Sequence, residues 1–138
     1  MVKLFLFLLY TFRLLEYQLI AFIIMNKISK ELVGASAIPI ILSILEKEET
    51  YGYQIMQSVK DLSDSKIEWK EGSLYPVLHK LEKNGLIKSL WKMAENGRHR
   101  KYYAINRKGR KALQDEIENW TLVHTMLDSL WKEIKPEV

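Results

Sequence analysis

Across residues 71–106 the sequence EGSLYPVLHKLEKNGLIKSLWKMAENGRHRKYYAIN switches from a helical to an alternating pattern, which leaves the rest of the chain few folds to choose from. Leu74, Val77, Leu78 and Leu81 recur at the spacing of one helix face, and Asn84-Gly85 ends the run with a pair that tolerates left-handed backbone. Residues 86–93 then mix β-branched, aromatic and alternating Lys residues, and residues 100–105 carry the Tyr102-Tyr103 pair of a second strand. Asn96-Gly97 between them is a hairpin signal, because both positions readily take positive φ. Arg98, His99, Arg100 and Lys101 crowd the tip and return strand of that hairpin. A helix followed by a basic hairpin is the outline of a winged helix-turn-helix shaped to sit on DNA.

The upstream sequence supplies the helices that such an outline needs. Ile38, Ile41, Leu42 and Leu45 predict a first helix, with Ser36 as its cap and Pro39 tolerated in the first turn. After a polar turn, Tyr51-Gly52-Tyr53 opens a second helical pattern through Ile55, Met56, Val59 and Leu62, and residues 67–70 read as a short extended piece. Asn106 has the chemistry of an N-cap for a long last helix reaching toward Ile134 and ended by Pro136. The expected class is mainly α (α+β), a winged helix-turn-helix with a long C-terminal dimerisation helix. With 138 residues and 48% hydrophobic content, the chain supports one core and its appendages. The expected organisation is an apolar extension over 1–24, a winged-helix domain over 25–106, and a dimerisation helix and tail over 107–138.

The extension, MVKLFLFLLYTFRLLEYQLIAFII, is very apolar, yet Arg13, Glu16 and Gln18 keep any continuous run below the ~18–20 residues expected of a membrane span. Lys3 and the apolar run after it suit a signal peptide, but no small-residue cleavage site follows. The favoured expectation is that these residues lie upstream of the natural start, with Met25 opening the polar sequence MNKISKEL. A membrane-tethered regulator is the alternative. The net charge of +4 suits a polyanionic partner, and the basic bias survives removal of Lys3, Arg13 and Glu16.

Enzyme chemistry finds no footing. The chain has no Cys, which excludes disulfides, thiolate zinc sites and a cysteine nucleophile. His79, His99 and His124 have neither metal-ligand spacing nor thiol companions, and no nucleophile and base stand in a recognisable motif. No metal and no cofactor is expected.

On a helical wheel the Leu74, Val77, Leu78, Leu81 arc leaves Pro76, His79, Lys80 and Lys83 opposite it, with Tyr75 on the flank. That outward face can enter a major groove, with Tyr75, His79 and Lys80 reading base edges. Ser73 and the free N–H groups of the first turn can take a phosphate, and Pro76 costs little near a helix start. Along the return strand, alternation sends Arg100 and Lys101 to opposite faces, so Arg98 and one of those two are the expected wing contacts. A solvated helix face and a solubilising turn would use the same residue types, and a winged helix that binds protein instead of DNA is the rival reading.

The last helix carries Leu113, Ile117, Trp120, His124, Leu127, Trp131 and Ile134 at alternating spacings of four and three. This heptad pattern predicts packing along a partner helix, hence a homodimer with two recognition helices roughly one DNA turn apart.

GSLYPVLHKLEKNGLI, the following Trp, RKYYAINRKGRKAL and the upstream YGYQI together resemble the PadR family of bacterial transcriptional regulators, over nearly the whole chain after Met25. Asn106 stands where Thr is more usual in AINRKG, and both residues cap helices. The resemblance implies a dimeric, cytoplasmic winged helix on palindromic double-stranded DNA, usually a repressor relieved by a small molecule. The single C-terminal helix resembles the short, multidrug-binding members, some of which stack flat aromatic drugs between two symmetry-related Trp residues. The motif ENW brings that stacking role to Trp120, with Ile117, Leu32 and Ala35 as pocket walls. His124 stands where some relatives place an acidic residue.

Overall fold

A computed structural model describes residues 1–25 and 28–134, so Pro136, the expected helix stop, lies outside the described residues. The chain order is α1 (Val2–Met25), α2 (Lys30–Lys47), β1 (Thr50–Tyr51), α3 (Gly52–Leu62), α4 (Glu71–Lys83), β2 (Ile87–Met93), β3 (His99–Ile105) and α5 (Arg107–Trp131). This is a winged helix: α2, α3 and α4 pack together, and the β2–β3 hairpin is the wing.

Helix α2 starts earlier than its apolar spacing predicts. Ser29, not Ser36, is the cap, its hydroxyl accepting the Leu32 N–H at 3.3 Å. The Ser36 hydroxyl instead donates to the Val33 carbonyl at 3.0 Å, as a hydroxyl inside a helix does. Pro39 therefore falls in the helix interior, where it removes the donor that would reach the Ala35 carbonyl.

Thr50 and Tyr51 form a strand too short to show any alternation in the sequence. They pair antiparallel with Tyr103 and Tyr102, giving the sheet order β1-β3-β2. Residues 67–70, expected to be extended, belong to no strand. In the wing, Ile87 pairs with Ile105 and Met93 with His99. At its tip only Gly97 is left-handed, at φ 80°; Asn96 is not. The Gly97 N–H reaches the Ala94 carbonyl at 2.9 Å and the Ala94 N–H the Arg98 carbonyl at 2.8 Å. The tip is thus a three-residue loop, not a two-residue turn with both residues at positive φ.

The core gathers Ile41, Leu42 and Leu45 of α2, Ile55 of α3, Leu74, Leu78 and Leu81 of α4, Ile87, Tyr103 and Ile105 of the sheet, and Leu113 of α5. Helix α5 enters it at Gly109, where a Cβ would sit 2.0 Å from the Leu86 carbonyl oxygen. Asn106 holds this junction from both sides. Its Oδ1 accepts the Gly109 N–H at 2.9 Å, and its Nδ2 donates to the Gly85 carbonyl at 2.7 Å.

Among the described residues of helix α1, none joins that core. The stretch Val2–Ala21 is long and apolar enough to cross a membrane, with a mean hydropathy of 1.5, and none of it is buried.

Candidate nucleic-acid interface

Leu74, Leu78 and Leu81 seat α4 on the core and Val77 is half-buried, which turns Ser73, Pro76, His79, Lys80 and Lys83 outward, all exposed. The outward face is the expected one, apart from Tyr75. Tyr75 is half-buried against the core, and its phenol crosses the start of α3, close enough that a Cβ on Gly52 would meet the hydroxyl oxygen at 2.7 Å. Its ring packs α4 against α3.

The start of α4 is also less open to phosphate than the helix dipole alone suggests. Glu71, in the first turn, offers its own carboxylate to the partial positive charge there. The Ser73 and Leu74 N–H groups both bond back to the Lys70 carbonyl, at 2.9 and 3.0 Å.

The wing is held against α4 by Glu82. One carboxylate oxygen accepts the Ser89 hydroxyl at 2.5 Å and the other lies 3.9 Å from the Lys101 ammonium. Lys101 also stands 5.7 Å from the centre of the Tyr103 ring, on the α4 side of the sheet. Arg100 faces the other way and stacks on Tyr51 at 4.5 Å. Tyr51 meets Tyr102 edge to face at 5.3 Å, and Lys92 lies over Tyr102 while bonding Glu49. The Arg100 Nε is buried and has no hydrogen-bond partner among the described residues. Arg98, at the tip, is exposed. Of the three expected wing cations, then, Arg98 is exposed at the tip, Lys101 is tied beside α4, and Arg100 is spent on bracing β3 to β1.

The spacing of α5 divides into two parts. Leu113 is 6% exposed and belongs to the chain's own core, so it is not available to a partner. Ile117, His124, Leu127 and Trp131 are exposed, as are Val123 and Leu130, while Ile134 lies past the end of the helix. Trp120 is half-buried; its indole N–H donates to Glu116 at 3.2 Å. It lines a hollow of about 330 Å³ with Ser36, Pro39, Ile40, Ser43, Ile44, Lys47 and Leu62. The expected walls Ile117, Leu32 and Ala35 are not on that lining, and neither is His124; Leu32 and Ala35 are exposed on α2. Pro39 and Leu62 could not be foreseen there, because their placement depends on how α2, α3 and α5 cross.

Solved structures with the same arrangement include a transcriptional regulator from Clostridium thermocellum, 33% identical, with a TM-score of 0.67 over 78% of this chain and 99% of that one. A PadR-like transcriptional regulator from Bacillus cereus is 31% identical, with a TM-score of 0.67 over 73% and 96%. A PadR family transcription regulator from Clostridium difficile is 30% identical, with a TM-score of 0.61 over 69% and 97%. An uncharacterized protein of Lysinibacillus sphaericus is 32% identical over 64% of this chain and 82% of its own length. The family model for PadR-like transcriptional regulators matches residues 41–115, which hold the end of α2, α3, α4, the wing and the start of α5. With an outward basic helix face braced to a wing, the chain belongs to the PadR-like family of transcriptional regulators.

Proposed function

We propose that the protein is a cytoplasmic, ligand-responsive repressor that binds a palindromic operator as a homodimer. Regulators of this family bind DNA and are commonly dimeric. The observation that carries the reading further is the outer half of α5. Ile117, Val123, Leu127, Leu130 and Trp131 expose 36–59% of their surface along one helix, an apolar stripe that water disfavours. A second copy covers such a stripe with its own, and two-fold symmetry then sets two α4 helices on successive major-groove faces. His79 and Lys80 read base edges, while Ser73, Pro76, Lys83, Arg98 and Lys101 border the phosphate rows and Arg100, stacked on Tyr51, braces the wing that carries them.

The hollow at Trp120 supports a flat aromatic effector that stacks on the indole. Ile117 and His124 follow on the same helix, and Leu32 and Ala35 on α2 would border the cavity once the second copy is in place. Such a ligand changes DNA affinity only by favouring one dimer geometry over the other.

The test is sedimentation of the full chain beside Leu127→Glu, paired with titration of a symmetric site and of its isolated half. The expected result is a dimer in which the symmetric site is bound at least tenfold more tightly, and a monomeric Leu127→Glu that loses this advantage. A monomer that prefers neither site defeats the reading. For the effector, planar compounds should quench Trp fluorescence in the native chain and not in Trp120→Ala.

A further inference from the structure

Helix α1 lies outside residues 41–115, the part that carries the family likeness, and outside the core. At about 1.5 Å per residue, its 24 residues make a rod about 36 Å long. At about 100° per residue, Leu4, Phe5, Leu8, Phe12, Leu15 and Leu19 fall within an arc of about 100°. These six expose 57–65% of their surface. The opposite side collects Lys3, Tyr10, Arg13, Glu16 and Tyr17 within about 140°.

Water disfavours so much apolar surface, so α1 needs a cover. A helix of another chain packed along it would cover one stripe. Leu6, Phe7, Leu9, Leu14 and Ile20 stand outside the six-residue stripe and still expose 42–63%. A medium that closes around most of the helix covers them as well, and hydrocarbon is such a medium. Crossing a bilayer would carry Arg13 and Glu16, near the middle of α1, into the centre of that hydrocarbon. Lying along the surface, α1 keeps both at the headgroups, together with the phenols of Tyr10 and Tyr17, whose rings favour that boundary.

Charge selects the lipid. On α1 itself Lys3 and Arg13 outnumber Glu16. Just beyond it Lys30 opens α2 and stands with Lys66 and Lys70 around one cleft, all three exposed, while the acid on that lining, Glu68, lies 3.0 Å from Lys60. We propose that α1 docks the chain on the surface of an anionic lipid bilayer, its Leu and Phe side sunk in the hydrocarbon and Lys3, Arg13 and Lys30 among the headgroups. One apolar helix joined to basic groups is a pairing that holds a protein on such a surface. The winged helix stays on the same side of the bilayer, and the test needs neither DNA nor a second copy.

The experiment is flotation of the full chain with preformed vesicles of three parts phosphatidylcholine to one part phosphatidylglycerol, beside the double variant Leu8→Glu/Leu15→Glu. Both substitutions lie off the core, so melting followed by circular dichroism should be unchanged. Wild type should float, and about 1 M NaCl, which cuts the screening length to about 3 Å, should not release it. The double variant, and wild type with vesicles of phosphatidylcholine alone, should bind at least tenfold more weakly. Because the chain has no Cys, Lys3→Cys gives a single thiol, and an impermeant maleimide should label it fully from outside the vesicles. Wild type that does not float, a double variant that floats equally, equal binding to neutral vesicles, or complete release by salt overturns the proposal. So does a thiol protected until detergent opens the vesicles, because α1 would then cross. Wild type that stays unbound and sediments as a larger assembly than the double variant would assign α1 to another copy instead.

Discussion

The phenol of Tyr75 crosses α3 where Gly52 has no side chain, and a methyl group there would stand 2.7 Å from the hydroxyl and 3.0 Å from the ring carbon that bears it. Gly52→Ala must push the ring aside and loosen α4 from α3, at a cost of about 1–3 kcal/mol in thermal unfolding. We expect the same packing to keep the Tyr75 phenol from reading bases. Tyr75→Phe should keep the protein's preference among operator variants, whereas His79→Ala, on the exposed face, should relax it at particular positions. A changed preference in Tyr75→Phe would return the phenol to the groove.

The double bond set of Asn106 makes a graded series. Asn106→Asp keeps the acceptor for the Gly109 N–H but sets a carboxylate against the Gly85 carbonyl, where the amide now donates at 2.7 Å. Asn106→Ala loses both bonds. The expected order of stability is Asn, then Asp about 1 kcal/mol lower, then Ala about 2 kcal/mol lower than Asn, measured by denaturant unfolding. Asp and Ala variants of equal stability would mean that the Gly85 bond contributes little.

Why the sequence revealed some of these features and not others follows from the range of the signals. Apolar spacing in α4 and the Asn84-Gly85 stop are local, so the helix and its outward lysines could be read directly. The wing's alternation was equally local and placed Arg100 and Lys101 on opposite faces. What each cation does there was not legible. Arg100 stacks on Tyr51 through a two-residue strand that leaves no pattern, and Lys101 meets Glu82 only after the hairpin folds back on α4. The start of α2 was misplaced because Pro39 looked like a first-turn residue, while Ser29 lies beyond the apolar run that announces the helix. Leu113 fits the α5 heptad, yet it is drawn into the chain's own core because Gly109 lets α5 approach the sheet.

Arg98 and Arg100 lie two residues apart on the wing and should separate cleanly. Arg98→Ala removes one exposed charge, so melting should be unchanged within about 0.5 kcal/mol while the slope of log affinity against log salt falls by about 1 per site contacted. Arg100→Ala removes the stack on Tyr51, so its melting temperature should drop and its salt slope should fall less. The reverse pattern, with Arg98 stabilising the fold and Arg100 setting the salt slope, would contradict the division of the wing into a brace and a contact.

Tyr103 should make the fold sensitive to alkali. Burial, and to a smaller extent the neighbouring Tyr75 and Glu82, hold its phenol above the ordinary value of 10.0. At 2% exposed the ring has little access to water, and an ionised oxygen there is disfavoured. The folded value lies above the unfolded one, so the folded chain holds the proton more tightly. The contribution is therefore fully present below pH 10 and is lost as pH rises from 10 through the folded value. Urea midpoints measured from pH 8 to 11 should fall more steeply for the native chain than for Tyr103→Phe, which has no proton to lose at that position. The other tyrosines titrate in both proteins, so the difference between the two curves isolates Tyr103. Parallel curves would show that the phenol ionises as easily in the folded chain as in the unfolded one.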